Sequence, residues 1–217
     1  MSPKPAQGGH WVYTKPILSV YDLFVIRFCY RILWKCHSGN ILTLYDSHVS
    51  TNHLDVGVGT GFFLDHCHFP SDRPRLALLD SKPRCLESAA QRLRRYNPEV
   101  YQADVLEPIH FQSSPFDSVS LSCVLHCLLG TIQSKAIVFE HLKSLMNPGG
   151  ILFGATIPHK GIKHGLLARR LMDVYNSMGA FSNADDDLDG LRHVLAQHFT
   201  NSSVKVVGSV ALFWGRI

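Results

Sequence analysis

The sequence predicts an α/β fold in which helices cover both faces of a mostly parallel sheet. From Asn52 onward, short apolar runs that suit buried strands alternate with segments of helical periodicity, and the connections are short. The first apolar run ends in a cluster of glycines, as a sharp strand-to-helix turn requires. Two short runs around Gly208 predict a closing antiparallel hairpin. Such alternation is typical of parallel sheets, because each parallel connection needs a crossover.

Each element follows from its own apolar pattern and its flanking residues. Two helices precede the sheet, an amphipathic one at about 17–37 and a short one at 41–48. The predicted strands are 53–56, 75–79, 99–102, 116–123, 151–156, 204–207 and 210–215. The predicted helices between them are 62–67, 82–96, 132–146 and 188–198. The run Asn147-Pro148-Gly149-Gly150 predicts a turn that stops the third of these helices before the next strand.

The rhythm of the elements predicts how the chain is organised. Residues 1–40 form a tail and a helical cap, and residues 41–217 form one domain, which suits a chain of 217 residues. Residues at about 158–190 break the alternation, so we expect an inserted lid or pocket wall there. We expect a monomer or a homodimer.

Composition excludes several classes of partner. The net charge is only +4 and charged residues make up 18% of the chain, with no long basic block, so we expect no nucleic-acid partner. The apolar stretch 17–34 carries Asp22, Arg27 and Arg31, which disfavour stable membrane insertion. The first residues lack the order of a secretory signal, and the six cysteines form no C-x-x-C pair. We therefore expect reduced thiols and a cytoplasmic location.

The glycine cluster predicts a nucleotide-like ligand. Residues 53–64 read HLDVGVGTGFFL, a buried strand followed by a G-x-G-x-G turn and a helix. Ligands of open α/β sheets bind in the crevice at the carboxyl ends of the strands. A dinucleotide fold would need its third glycine one position later, where Phe62 stands, and no Gly-Lys-Ser/Thr follows to make a phosphate loop. Asp55, at the mouth of the loop, would repel a pyrophosphate but suits the amino group of a cationic amino acid.

Two further acidic residues stand at the ends of the next strands. Asp80 ends the second strand, where a carboxylate can accept hydrogen bonds from both hydroxyls of a ribose. Asp104 follows the third strand and can accept from an adenine amino group, while Val105 packs on the ring. Each acid alone would be read as a helix cap or a solvated loop residue, but the ordered set with the glycines favours a common ligand.

These residues resemble the class I S-adenosylmethionine-dependent methyltransferases. The matching segments are LDVGVGTG at 54–61, LLD at 78–80, AD at 103–104, FDSVSLSCVLHCL at 116–128, LMNPGGILFGAT at 145–156 and the closing hairpin. The resemblance implies a Rossmann-like, seven-stranded sheet with one antiparallel strand, S-adenosyl-L-methionine as cofactor and S-adenosyl-L-homocysteine as product. The cofactor-binding residues that it implies, together with their neighbours in the sequence, are Asp55, Gly57, Val58, Gly59, Gly61, Asp80, Ser81, Asp104, Val105, Cys123 and Leu125.

The acceptor is less defined than the cofactor. The sequence after the fourth strand is Ser122-Cys123-Val124-Leu125-His126, which lacks the Pro-Pro motif of enzymes that methylate amide nitrogens. The sulfonium methyl is already an electrophile, so a base is needed only where the acceptor has a proton to lose. His126 is the candidate base, with a helix-start or packing residue as the alternative. Tyr13, Tyr21 and His159 are candidate lid or substrate residues.

The least regular parts of the chain are aromatic and lightly charged, which favours a small, partly apolar acceptor. No metal is expected, because His66-Cys67-His68 lacks ligand spacing and Asp185-Asp186-Asp187 fits a helix N-cap better than a calcium loop. Two other functions stay open: a protein of this fold that senses the cofactor or catalyses another reaction, and a nicotinamide oxidoreductase, which Asp55 and Phe62 disfavour.

Overall fold

A computed structural model describes residues 31–110 and 113–217 and contains one seven-stranded sheet. The strands are β1 (Asn52–Val56), β2 (Arg75–Asp80), β3 (Glu99–Gln102), β4 (Phe116–Ser120), β5 (Met146–Thr156), β6 (Asn201–Val207) and β7 (Val210–Arg216). Their order across the sheet is β3-β2-β1-β4-β5-β7-β6, and only β7 runs antiparallel to its two neighbours. The predicted fold class is confirmed, including the closing hairpin.

One helix precedes the sheet, and the others lie in the connections between consecutive strands. They are α1 (Ser38–His48), α2 (Phe62–His66), α3 (Pro83–Arg92), α4 (Ile137–Lys143), α5 (Leu166–Ser177) and α6 (Leu188–His198). Short 3-10 turns lie at Arg94–Tyr96, Leu125–Cys127 and Ser134–Ala136. Within the described part of the chain, no helix has the length and apolarity needed to cross a bilayer.

The sheet is buried on both faces, and side-chain alternation divides the core into two layers. On β1, Leu54 and Val56 point into the layer that includes α4 and α6, with Phe139 and Leu191. The opposite layer contains α1, through Ile41 and Tyr45, and it also holds parts of α3 and α5. Burial on both faces explains why the parallel strands read as nearly continuous apolar runs.

Two predicted boundaries around the fourth and fifth strands were wrong. The helix predicted at 132–146 is a 3-10 turn followed by α4, and β5 already begins at Met146, so Asn147 to Gly150 lie inside the strand. A register shift between Phe116 and Ser118 of β4 accommodates this irregular start, where Gly149 has a φ of +76°. The strand β4 ends at Ser120 rather than at residue 123. The N–H groups of Leu121 and Cys123 still donate to carbonyls of β5, and the chain leaves the strand direction at Cys123, where φ is +65°.

The start of the chain carries several predictions that the structure does not test. Tyr13, Tyr21 and most of the predicted helix 17–37 lie outside the described residues, so the tail and cap at 1–40 stay a prediction. The proposed insert at 158–190 contains α5, between β5 and α6. The insert contacts the start of the described chain, because the ring of Phe181 stacks on that of Trp34 with centroids 6.1 Å apart.

Candidate active site

The glycine loop lies at the carboxyl end of β1 and turns directly into α2. The backbone N–H of Gly57 donates to the Leu79 carbonyl of β2 at 2.7 Å, which fixes the loop to the neighbouring strand. Gly57 and Gly59 have φ values of +68° and +55°. A Cβ on Gly57 would lie 2.2 Å from Cγ2 of Val124, whereas a Cβ on Gly59 would meet nothing within 4 Å. Gly57 is therefore required for packing, and Gly59 leaves open space into which a ligand can approach.

Two other predicted members of the loop serve its packing. Gly61, with a φ of +73°, is the N-cap of α2, and a Cβ there would lie 3.1 Å from Leu93 and 3.3 Å from Ala89. Val58 is buried, and its carbonyl accepts from the Gly61 N–H at 2.9 Å. These contacts pack the loop against the protein interior on both sides of Gly59, which itself remains open.

Asp80 lies at the end of β2 and faces the glycine loop. Its Oδ1 accepts from the backbone N–H of Lys82 at 2.9 Å, and its Oδ2 lies 3.5 Å from the backbone nitrogen of Gly59. Burial raises the pKa of this carboxyl, and the backbone N–H groups of Lys82 and Gly59 oppose that shift. The adjacent Ser81 is exposed. A carboxylate held beside an open glycine has the chemistry to accept two ribose hydroxyls.

The carboxyl end of β3 lies next to Asp80. The backbone N–H of Ala103 donates to the Asp80 carbonyl at 3.2 Å, which brings Asp104 and Val105 beside the second strand. The Asp104 side chain is exposed, and its Oδ1 accepts from the Leu106 N–H at 3.0 Å. Val105 is 6% exposed and packs in the core. Open space at Gly59 and two carboxylates at successive strand ends fit a nucleoside with an amino-acid tail.

Asp55 lies behind the glycine loop rather than open at its mouth, where sequence reasoning placed it. Its side chain is 5% exposed, because alternation along β1 turns it into the same core layer as Tyr45. The hydroxyls of Tyr45 and Ser120 both donate to its Oδ1, the first at 3.0 Å. Burial is the main reason that the pKa of Asp55 is raised to about 7, against the lowering effect of these two hydroxyls.

The segment after β4 passes beneath the glycine loop. The N–H of Cys123 donates to the Ala155 carbonyl at 2.7 Å, and the left-handed backbone at this non-glycine residue is a locally strained conformation of the kind found at functional sites. The next side chain, Val124, fills the space beside Gly57. Leu125 is fully buried in the core, so its side chain offers no surface to a ligand, in contrast to its predicted role in cofactor binding.

His126 is enclosed, which does not favour its predicted role as a base. The side chain is 3% exposed, its Nδ1 lies 3.3 Å from Oγ1 of Thr156, and its ring packs edge-on against Phe181 with centroids 4.5 Å apart. Burial, with a further contribution from the charge of Lys135, lowers the pKa of His126 to about 3. An imidazole with that pKa is a weak proton acceptor at neutral pH.

An aromatic cluster, made of Trp34, His126, Tyr175 and Phe181, lies beyond the end of β4. Phe181 is its centre, since it stacks on Trp34 and its ring centroid is 5.0 Å from that of Tyr175. The backbone N–H of Ser182 donates to the His126 carbonyl at 2.8 Å and fixes the insert to this segment. His159 is a half-buried residue of the insert. Its Nε2 lies 3.9 Å from Oδ1 of Asp173, and its ring centroid is 6.4 Å from that of His164.

A second part of the site was missed by sequence reasoning. Tyr45, His53, Ser118 and Ser120 form a buried polar row beside Asp55, in a layer that is otherwise apolar. The available signal was the pair of i, i+2 patterns His53-x-Asp55 and Ser118-x-Ser120 inside two apolar strands. Period-two placement of polar residues on neighbouring buried strands predicts that their side chains meet on one face.

Two features considered as metal sites have other roles. The ring of His66 stacks on Phe62, and Asp187 accepts from the Gly190 N–H at 2.6 Å as the N-cap of α6, as predicted. Asp186 forms a buried ion pair with Lys135. Across residues 31–110 and 113–217, no group of three or more potential ligands has the arrangement of a metal site.

Comparisons with known proteins agree with this geometry. A family profile described as a methyltransferase domain matches residues 54–152. Demethylluteothin O-methyltransferase of Streptomyces thioluteus is 37% identical over 205 residues, which are 94% of this chain and 89% of that protein. The N-methyltransferase vrtF of Penicillium aethiopicum is 36% identical over 182 residues, which are 83% of this chain and 76% of that protein.

A solved structure shares the fold. The N-methyltransferase NodS from Bradyrhizobium japonicum WM9, in complex with S-adenosyl-L-homocysteine, superposes with a TM-score of 0.57 at 20% identity. The match covers 82% of this chain and 84% of that chain.

The fold, the glycine loop and the extensive similarity to methyltransferases together define the class: this chain belongs to the class I S-adenosylmethionine-dependent methyltransferases. It is an enzyme that uses S-adenosyl-L-methionine as its methyl donor. The alternative of a cofactor sensor without methyl transfer, and that of a nicotinamide oxidoreductase, are therefore set aside.

Proposed function

We propose that the enzyme methylates an acidic hydroxyl group, phenolic or enolic, on a small and partly apolar metabolite. The aromatic cluster around Phe181 carries the proposal, because it lies directly after the segment that passes beneath the glycine loop. Flat aromatic surfaces suit a planar, partly apolar acceptor. The similarity to an O-methyltransferase over 94% of the chain supports oxygen as the acceptor atom.

In this proposal, different residues at the strand ends bind different parts of the cofactor. Asp80 would accept from the ribose hydroxyls, with Ser81 beside it, and Asp104 and Val105 would bind the adenine. Gly57, Val58, Gly59 and Gly61 would form the backbone cradle, and Asp55 would face the cationic amino group from behind it. The bound cofactor supplies an activated methyl group for direct displacement. The protein contributes alignment of the acceptor oxygen and exclusion of water.

An acidic acceptor also agrees with the burial and the lowered pKa of His126, because such an acceptor needs no strong base. Because the imidazole is enclosed and its pKa is lowered to about 3, mainly by burial, His126 acts in this proposal as a packing residue under the acceptor rather than as the base. A phenol or enol with a pKa near neutrality can ionise before it reacts. The proposal therefore expects catalytic efficiency to rise with the acidity of the acceptor hydroxyl.

The test is a methyl-transfer assay with labelled cofactor and matched sets of phenols, enols, amines, nucleic acid and protein. The hydroxyl compounds should accept label, with greater efficiency for the more acidic ones. Phe181→Leu should raise the KM for the acceptor by about 5- to 30-fold and leave cofactor affinity unchanged, since the lost ring contact is worth about 1–2 kcal/mol.

Trp214→Leu is the control, because Trp214 is a half-buried ring on β7 that packs on His48 instead of the cluster. It should leave both constants close to those of the unsubstituted enzyme. Label found in amines or macromolecules, with none in the hydroxyl compounds, would reject the proposed acceptor. Equal effects of the two substitutions would reject the cluster as its binding surface.

A further inference from the structure

A continuous row of hydrogen bonds runs behind the cofactor loop along one face of the sheet. β1 and β4 are paired in parallel with His53 opposite Ser118 and Asp55 opposite Ser120, so the four side chains alternate between the two strands. Nε2 of His53 lies 3.0 Å from Oγ of Ser120, which contacts Asp55 Oδ1, and Nδ1 lies 2.8 Å from Oγ of Ser118. Ser118 Oγ is in turn 2.8 Å from Oγ of Ser50, which is half-buried.

Each hydroxyl in the row has one proton, so the direction of every hydrogen bond depends on the state of Asp55. When Asp55 is ionised, Ser120 must donate to it and must accept from His53. His53 then carries its proton on Nε2, and its Nδ1 accepts from Ser118. Ser118 in turn accepts from Ser50, and every group in the row is satisfied.

When Asp55 is protonated, the whole row reverses. The carboxyl donates to Ser120, Ser120 donates to Nε2 of His53, and the imidazole carries its proton on Nδ1. Ser118 then accepts from His53 and donates to Ser50. The Ser50 hydroxyl is free to donate to the Asn52 carbonyl at 2.9 Å, a contact that the structure records.

We propose that the row Asp55–Ser120–His53–Ser118–Ser50 is a proton wire that lets Asp55 ionise when the cofactor binds in front of it. One proton passes along each hydrogen bond: Asp55 to Ser120, Ser120 to Nε2, Nδ1 to Ser118, Ser118 to Ser50, and Ser50 to solvent. One O–H bond breaks at Asp55, one proton leaves at Ser50, and His53 changes tautomer without a net change of charge. The heavy-atom positions need not change.

The surroundings of the row favour this use. His53 is fully buried between the rings of Phe153 and Phe69, and burial lowers the pKa of His53 to about 3, so it stays neutral at working pH. Burial raises the pKa of Asp55 to about 7, so both of its states are accessible near neutrality. His53 and Ser120 are thus positioning residues, since they act on the cofactor only through Asp55.

The groups that face Asp55 come from four elements. Tyr45 of α1 donates to Oδ1 in both states of the row, and Asp80 at the end of β2 disfavours ionisation by its charge. The thiols of Cys67, after α2, and Cys123, after β4, lie near this cluster; burial raises the pKa of Cys67 to about 12. The charge of Asp80 therefore disfavours the ionisation of Asp55, whereas a cationic amino group in front of the loop would favour it.

The test is nitrogen NMR of the full chain with labelled histidine, because protonated and unprotonated ring nitrogens have well-separated shifts. The His53 signals are assigned by their loss in His53→Gln. Without cofactor, the proton of His53 should lie on Nδ1 at about pH 5.5 and on Nε2 at about pH 8.5, with a midpoint near 7. In Asp55→Asn and in Ser120→Ala, the His53 tautomer should no longer change with pH.

The second part of the test adds S-adenosyl-L-homocysteine at about pH 6 and rests on the proposed role of Asp55. Binding should move the His53 proton from Nδ1 to Nε2. It should also release about nine-tenths of a proton per cofactor, measured by calorimetry in two buffers, because about that fraction of Asp55 is protonated in the free enzyme. Asp55→Asn should release no proton.

The outcomes separate the two claims. A His53 tautomer that stays fixed from about pH 5.5 to 8.5 in the free enzyme would overturn the proton wire, whatever the cofactor does. A tautomer that follows pH but ignores the cofactor would leave the wire in place and reject the proposed contact between Asp55 and the amino group. The experiment on the unsubstituted enzyme decides the first question even where a variant fails to fold.

Discussion

At the scale of single residues, the backbone conformation or the burial of each site residue limits what that residue can do. Gly57 cannot carry a side chain because Val124 occupies that space, whereas Gly59 has open space before it. Asp80 is buried and points its Oδ2 toward Gly59. The open space at Gly59 and the carboxylate beside it form a surface to which a ligand can bind. The contribution of Asp80 to that binding is the simplest to measure.

Asp80→Asn should weaken the binding of S-adenosyl-L-homocysteine by about 10- to 100-fold, because hydrogen bonds to a charged acceptor contribute about 1.5–3 kcal/mol. The amide keeps an oxygen for the Lys82 N–H, so the loop geometry should survive. The thermal midpoint should stay equal or rise, since a buried carboxylate is replaced by a neutral group. Calorimetry gives the affinity, and a thermal melt gives the stability.

Asp72→Asn is the control at an exposed loop carboxylate and should change neither measurement. Unchanged affinity in Asp80→Asn would remove Asp80 from the ribose site. A large fall in the thermal midpoint would instead indicate that Asp80 maintains the fold of the loop.

The residue scale also shows what sequence reasoning could reach. The glycines and Asp80 were found because their positions at strand ends have meaning along the chain alone. Tyr45 and Ser120 were missed, since their role comes from a helix and a strand that meet Asp55 from distant parts of the chain. His126 was found with two alternative roles, and the enclosure that favours packing could not be foreseen, because it depends on Phe181 of the insert.

At the scale of elements, a buried ion pair between Lys135 and Asp186 helps to hold the insert to the domain. Nζ of Lys135, in the 3-10 turn Ser134–Ala136, lies 2.8 and 2.7 Å from the two carboxylate oxygens of Asp186 and 2.8 Å from the Ser182 carbonyl. Lys135 is fully buried. Burial lowers the pKa of Lys135 and raises that of Asp186, while their mutual attraction opposes both shifts. The pair fixes the loop that follows Phe181, and hence one wall of the aromatic cluster.

Lys135→Met should reduce the free energy of unfolding by about 3–5 kcal/mol, because it leaves the Asp186 carboxylate buried without a cation. The double variant Lys135→Met/Asp186→Leu should recover much of that loss, since no buried charge then remains. Urea denaturation at neutral pH measures both.

Lys160→Met removes the exposed neighbouring pair with Asp185 and serves as the control, with little change expected. A single variant Lys135→Met as stable as this control would show that the buried pair does not anchor the insert. A double variant no better than the single one would indicate that packing, rather than the unpaired charge, limits stability.

At the scale of the whole molecule, two core layers on either side of the open sheet enclose several titratable groups. His53 and His126 are held neutral, since burial lowers the pKa of each to about 3. Unfolding returns each to its ordinary value of 6.5, so the unfolded chain binds more protons between about pH 3 and 6.5. Their contribution to stability is complete above pH 6.5 and is lost as the pH falls. Asp55, with a pKa raised to about 7, acts in the opposite direction over part of this range.

His126→Gln should therefore reduce the dependence of stability on pH between about 4 and 6. The slope of unfolding free energy should fall by up to about 1.4 kcal/mol per pH unit relative to the unsubstituted enzyme. Urea denaturation at several pH values measures the slope. Turnover near neutral pH should stay within about tenfold, whereas loss of a general base would lower it by about 10²- to 10⁴-fold.

An unchanged slope would mean that His126 is protonated in the folded protein. A loss of turnover beyond about a hundredfold, accompanied by loss of an acidic limb in the pH–rate profile, would restore His126 as the base and reject its role as a packing residue. The two measurements are independent, because one follows the unfolding equilibrium and the other the reaction.

The sequence by itself determined the succession of strands and helices, the closing hairpin, and the class of cofactor. These depend on local patterns, namely apolar periodicity, glycines at a turn, and acids at strand ends, which a chain expresses within a few residues. Only the tertiary structure decided which polar groups are buried together. The enclosure of His126, the ion pair of Lys135 and the hydrogen-bond row behind Asp55 each join segments distant in sequence. Burial and desolvation belong to that assembly, and they set the charge that each group carries.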